Sequence, residues 1–119
     1  MVTREKIPVH LAPEEWQAVQ KLLARLQAAY GGQIRQAMLF GSKARGDAVP
    51  GSDIDILLLV EQESWPLKDE ISGMAADINL EADLLMDVRV IGVERWQHMA
   101  NIDAGLYRTI AQDAISLAG

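Results

Sequence analysis

The chain has 119 residues, half of them hydrophobic and 24% charged, with a net charge of −6 and no cysteine. That is enough for one domain with its own core, and it excludes disulfides, thiolate zinc sites and a cysteine nucleophile. No apolar run approaches the roughly 18 residues needed to cross a bilayer, and Met1–His10 has no apolar leader core, so one cytoplasmic domain over 1–119 with no membrane partner is expected. Charge is uneven: residues 1–60 hold seven Lys or Arg against six Asp or Glu, and residues 61–119 hold four against eleven. Such a surface is a poor backbone-binding one for nucleic acid, so direct nucleic-acid binding is not expected and a basic protein partner fits better.

In chain order, residues 1–10 lack periodicity and contain Pro8, which predicts an irregular arm. From Pro13 a helix is predicted, because Trp16, Val19, Leu22, Leu23, Leu26 and Tyr30 recur at helical spacing and Glu14 and Glu15 suit its first turn. Gly31 and Gly32 stop it, and Trp16 is read as a core anchor. Ile34–Phe40 then reads as a strand feeding a long connection, 41–53, broken by Gly41, Gly46, Pro50 and Gly51. Ile54–Val60 is a nearly unbroken aliphatic strand, expected to be covered on both faces and to pair hairpin-fashion with the first.

Ser64 is placed to cap a helix over 66–82, with Leu67, Ile71, Met74, Ile78 and Ala82 inward and Trp65 packing over its start. Gly73 weakens that helix by about 1 kcal/mol relative to Ala. Leu84–Ile91 is the third strand, on which Leu85, Asp87 and Arg89 share one face and Leu84, Met86, Val88 and Val90 the other. Two helices, 93–100 and 105–111, follow Gly92, with Trp96, Met99, Leu106 and Ile110 inward, and 114–117 is a short closing strand. His10 and His98 stand alone and are read as surface or packing residues.

The chemistry concentrates in LFGSKARGDAVPGSDIDILLLV, residues 39–60. Asp53 and Asp55, two apart at a strand mouth, project side by side, and like charges that close call for a divalent cation or a shared proton. Asp87, an acid inside an apolar strand, needs either a base such as Arg89 or a place as third ligand to the same metal; beside the loop, the ligand role is favoured. Gly41 and Gly46 have phosphate-loop spacing, but Asp47 and Ala48 stand where Lys and Ser or Thr are required, and no G-x-G-x-x-G occurs. Arg45-Gly46-Asp47 would suggest adhesion only in an extracellular protein.

The string LFGSKARGD followed by SDID, with a lone strand acid later, resembles the nucleotidyltransferase superfamily related to DNA polymerase beta, and within it the minimal nucleotidyltransferases. The resemblance implies an α/β (α+β) fold, a small mixed β-sheet with helices packed on it. It implies ATP as donor and Mg2+ as cofactor, with two ions held by Asp53 and Asp55 and one completed by Asp87, the catalytic acids. It places phosphates at Gly41 and Ser42, with Lys43 or Arg45 balancing charge; Arg45 bracing the loop through Asp47 is an equal alternative. Minimal members often act on a helical HEPN-type partner in toxin–antitoxin systems, so the implied acceptor is a partner tyrosine. Two other uses stay open: an antitoxin that works by occlusion, and transfer of AMP to a small molecule of the aminoglycoside kind.

Overall fold

A computed structural model describes residues 10–118; the predicted arm at 1–9 lies outside them. The elements run α1 (Pro13–Tyr30), β1 (Ile34–Phe40), α2 (Ser42–Arg45), β2 (Ile54–Val60), α3 (Trp65–Ala82), β3 (Met86–Gly92), α4 (Val93–Asn101), α5 (Gly105–Asp113) and β4 (Ile115–Ala118). The four strands form a mixed sheet in the order β3-β2-β1-β4. β1 pairs antiparallel with β2 and β4, and β2 pairs parallel with β3. The return from β2 to a parallel β3 needs a crossover, which α3 supplies. No helix among the described residues is long and apolar enough to cross a membrane.

β2 is apolar throughout because it is covered twice. Ile54, Ile56, Leu58 and Val60 enter a large core with Trp16, Val19, Leu22 and Leu26 of α1 and Ile71 and Ile78 of α3. Leu57 and Leu59 enter a smaller core with Met38, Phe40, Ile91, Met99 and Ile110, under α4 and α5. Each such side chain contributes roughly 1.5–3 kcal/mol by leaving water. Strand alternation therefore fixes which layer Asp55 belongs to: it shares the Leu57 face, on the α4–α5 side.

The predicted elements are present, with local corrections. The connection 41–53 contains a helical turn, α2, too short to show a periodicity. β3 begins two residues later than expected, because Asp83 takes a left-handed conformation (φ 54°) to close α3 and leaves Leu85 56% exposed. Ser64 does cap α3, its Oγ accepting the Leu67 N–H at 3.2 Å. Trp65 does not pack over that start; it is 76% exposed, with the Lys68 ammonium 5.3 Å from its ring centre. Leu106, expected inward, is 38% exposed, since α5 turns Ile110 and Tyr107 to the sheet side instead. Ala82, on the last turn of α3, is exposed as well.

Candidate active site

Three acids meet where β1 ends and β2 and β3 begin. The β2–β3 register sets Asp55 beside Asp87, and Asp53 lies two residues earlier on the Asp55 face. One carboxylate oxygen from each of Asp53, Asp55 and Asp87 falls within a 4.8 Å span. None of the three acids makes an ion pair among the described residues, so Asp87 is not neutralised by Arg89. Burial first, then the charges of Asp87 and Asp53, push the Asp55 carboxyl above its ordinary value, with partial relief from Arg89 and Arg45. A cluster held at that electrostatic cost is what a cation removes.

The donor set suits magnesium. Carboxylate oxygens are its preferred protein ligands, and two oxygens on one ion at about 2.1 Å each lie at most about 4.2 Å apart; the 4.8 Å span of this cluster is slightly wider than that limit, so side-chain rotation of a few tenths of an ångström would bring the acids onto shared ions.

Gly41 joins the loop to this cluster. Its φ of +76° favours glycine, and a Cβ there would run into Asp55 Oδ2. The close approach that calls for glycine is thus made by the Asp55 carboxylate inside the protein, so one residue lets β1 end directly against the acids. Ser42 follows at the first position of α2. Within α2 the Ala44 and Arg45 N–H groups both bond Gly41 C=O, at 3.0 Å each, while the Ser42 hydroxyl and N–H have no protein partner among the described residues.

The two cations of the loop are engaged elsewhere. Lys43 Nζ lies 2.7 Å from Glu15 Oε2, both side chains nearly buried, and Glu15 Oε1 also accepts the Ala12 N–H at 2.8 Å. Arg45 bonds Asp47 at 3.1 Å and Asp113 at 3.0 Å, which raises its already high pKa further and ties the loop to the end of α5. Of the alternatives for Arg45, the loop brace is the one this structure displays. His10 lies exposed with its ring over Gly46, a packing role, and His98 is exposed on α4.

Two residues that sequence reasoning missed position this site. Asn79, on α3, accepts the Met86 N–H at 2.8 Å and donates to the Met86 C=O at 3.2 Å, which sets the backbone immediately before Asp87. The only local signal was a residue of modest helix propensity inside a helix. Glu15 looked like an ordinary first-turn acid, and nothing local tied it to Lys43.

A family model for the nucleotidyltransferase domain matches residues 19–112. A candidate protein adenylyltransferase of Methanocaldococcus jannaschii is 44% identical over 45 residues, covering 38% of this chain and 45% of that relative. The match thus spans less than half the length of that relative. A solved candidate minimal nucleotidyltransferase shares the fold with a TM-score of 0.57 at 22% identity, over 92% of this chain and 99% of the other. A toxin–antitoxin structure with AMP-PNP also has a TM-score of 0.57, at 21% identity over 91% of this chain and 74% of the other. With the mixed sheet, the acid cluster at its end and a family model that covers most of the chain, this protein belongs to the nucleotidyltransferase domain family.

Proposed function

We propose that this nucleotidyltransferase transfers AMP from ATP to a protein hydroxyl, the tyrosine of a HEPN-type toxin for which it serves as antitoxin. The observation that carries the reading is the convergence of Asp53, Asp55 and Asp87 within 4.8 Å beside Gly41 and Ser42. The adenylyltransferase name of the Methanocaldococcus relative and the toxin–antitoxin neighbour crystallised with AMP-PNP support the choice of donor and acceptor.

On this reading Asp53, Asp55 and Asp87 would together hold two magnesium ions. When bound, magnesium neutralises triphosphate charge and favours the ionised acceptor. The unpartnered Ser42 hydroxyl and N–H donate to phosphate oxygens beside Gly41. The acceptor oxygen attacks the α-phosphorus; a P–O bond forms as the bond to pyrophosphate breaks, and the hydroxyl proton passes to the exposed Asp87 carboxylate. In-line positioning supplies much of the rate, since the chemistry itself needs no covalent intermediate with the protein. Lys43 and Arg45 contribute by holding the loop, and direct contact with the nucleotide requires either to leave its present carboxylate.

The test is incubation with α-labelled ATP, magnesium and the co-encoded helical partner, with the Asp53→Ala/Asp55→Ala double variant alongside. Label on a partner tyrosine that is absent with the double variant is expected. Neutralisation of the partner by the double variant, with no label transferred by either form, would replace catalysis with occlusion.

A further inference from the structure

The outer edge of β3 is closed at both ends and open between them. In a parallel pair, alternate residues turn their N–H and C=O to the neighbouring strand. The Ile54 N–H bond to Leu85 C=O, at 2.9 Å, fixes the phase. With Ile54 in register with Met86, the backbone groups of Asp87, Arg89 and Ile91 face β2, and those of Met86, Val88, Val90 and Gly92 face away. Asn79 satisfies Met86 on that outer side, and Glu63 Oε1 accepts the Gly92 N–H at 2.8 Å. Among the described residues nothing bonds the outward N–H or C=O of Val88 or Val90.

These two residues lie in a groove of about 320 Å³ between α3 on one side and α4 and α5 on the other, with Trp65 and Leu106 on its rim. Trp65 is 76% exposed, an unusual position for an indole that nothing covers. The rim is basic although the protein is acidic. Lys68, Arg89 and Arg95 border the groove against one lining acid, Asp69; Lys68 and Arg95 share the single carboxylate of Glu63 at 2.9 and 3.0 Å, and Arg89 makes no ion pair among the described residues. Unpaired strand edges are ordinarily blunted, and here the flanking positions are blunted while the centre is not.

We propose that this window takes an extended, acidic segment of the acceptor protein, which pairs as an added strand on β3 and rests its side chains on Trp65 and Arg89. The segment is not a second copy of this chain: symmetric antiparallel pairing centred on the window sets Arg89 against Arg89 at a Cβ spacing of about 5 Å, and like charges directly opposed destabilise. The inference rests on the transferase reading through one geometric link. Asp87 directly precedes Val88, and a side chain of the added strand on the Asp87 face stands about 4.8 Å beyond β3, within reach of the acid cluster for a long hydroxyl-bearing residue. Main-chain bonds give such a site its affinity and the flanking pockets give it selectivity.

The experiment titrates the isotope-labelled full chain with a capped synthetic hexapeptide of alternating glutamate and valine around one tyrosine, and with its lysine-for-glutamate counterpart. Neither nucleotide nor metal is present, so its outcome and that of the labelled-ATP assay are independent. The Val88 and Val90 amide protons are expected to move downfield and exchange several-fold more slowly with the acidic peptide, and the lysine peptide to bind at least about tenfold more weakly. Val88→Pro removes an outward N–H without touching the β2 ladder and should abolish the response at Val90. Should that variant not fold, Trp65→Ala and Arg89→Gln each should weaken the acidic peptide several-fold. No response at Val88 and Val90 at millimolar peptide, or equal binding of both peptides, overturns the proposal. So does protection of both amides without peptide in a protein that sediments as a dimer, which would assign the window to a second copy.

Discussion

β2 and β3 run parallel, carry an aspartate at the same register and differ in almost everything else. β2 is central and covered on both faces, so Asp55 stands on a strand with no freedom to shift. β3 is the edge strand: Asp87 and Arg89 are exposed, and its outer side, which has no neighbouring strand, is fastened only at the ends, by Asn79 and Glu63. The lesson is a division of labour. The buried strand holds charge in place, and the edge strand offers charge to whatever arrives.

Breaking the buried side should have the largest effect. On the proposed function, Asp53→Ala/Asp55→Ala is expected to lower labelled-AMP transfer on the order of a thousandfold or more, because residues that share metal ions act as a unit. Asp55→Asn should do the same to activity while stabilising the metal-free fold. The sign follows from the raised Asp55 pKa: ionising it costs folding energy, a cost present above its folded pKa and gone below its unfolded value near 3.8. Thermal melts in chelator should therefore show Asp55→Asn above wild type at neutral pH, with the gap closing towards strongly acidic pH.

Next in size is the packing contrast. Leu58, fully buried on β2, should cost about 3 kcal/mol as Leu58→Ala, against about 1 kcal/mol for Val88→Ala on half-buried β3, as read from urea midpoints. Equal losses would mean that the edge strand is held by its packing as firmly as the central one.

The β3 fastenings should give smaller effects. Asn79→Ala leaves both polar groups of Met86 without their partner and is expected to cost about 1–2 kcal/mol, and to lower transfer several-fold through Asp87. Glu63→Gln should cost about 1 kcal/mol at neutral pH. Burial works to raise the Glu63 carboxyl, but the Gly92 N–H, Lys68 and Arg95 outweigh it and hold the pKa below its ordinary 4.5. That contribution is present above the ordinary carboxylate pKa and lost as pH falls through the lowered one, so the difference between variant and wild type should vanish in acid.

Much of this contrast was legible in the residues. The unbroken Ile54–Val60 run announced a doubly covered strand, the Asp53-x-Asp55 spacing announced paired acids, and a lone Asp87 between apolar neighbours announced the third. Gly41 and Ser42 were flagged for their motif, though the contact that requires glycine at 41 is with Asp55. What stayed hidden depends on pairing between distant segments. Periodicity cannot say that β3 lies at an edge, that Glu15 reaches Lys43, or that Arg45 reaches Asp113 across 68 positions. Trp65 was misplaced for a related reason: its place beside Pro66 suggests packing over the start of α3, whereas the groove it borders is formed by segments distant in sequence.

The central claim, that the acids of β2 and β3 jointly form one metal site, is tested most directly by counting ions. Mn2+ should be titrated into the protein with a non-hydrolysable ATP analogue and the bound ions counted by electron paramagnetic resonance. Two coupled ions are expected in the wild type, fewer in Asp87→Asn and none in Asp53→Ala/Asp55→Ala. Identical Mn2+ binding in all three proteins, or none in the wild type, would contradict the account.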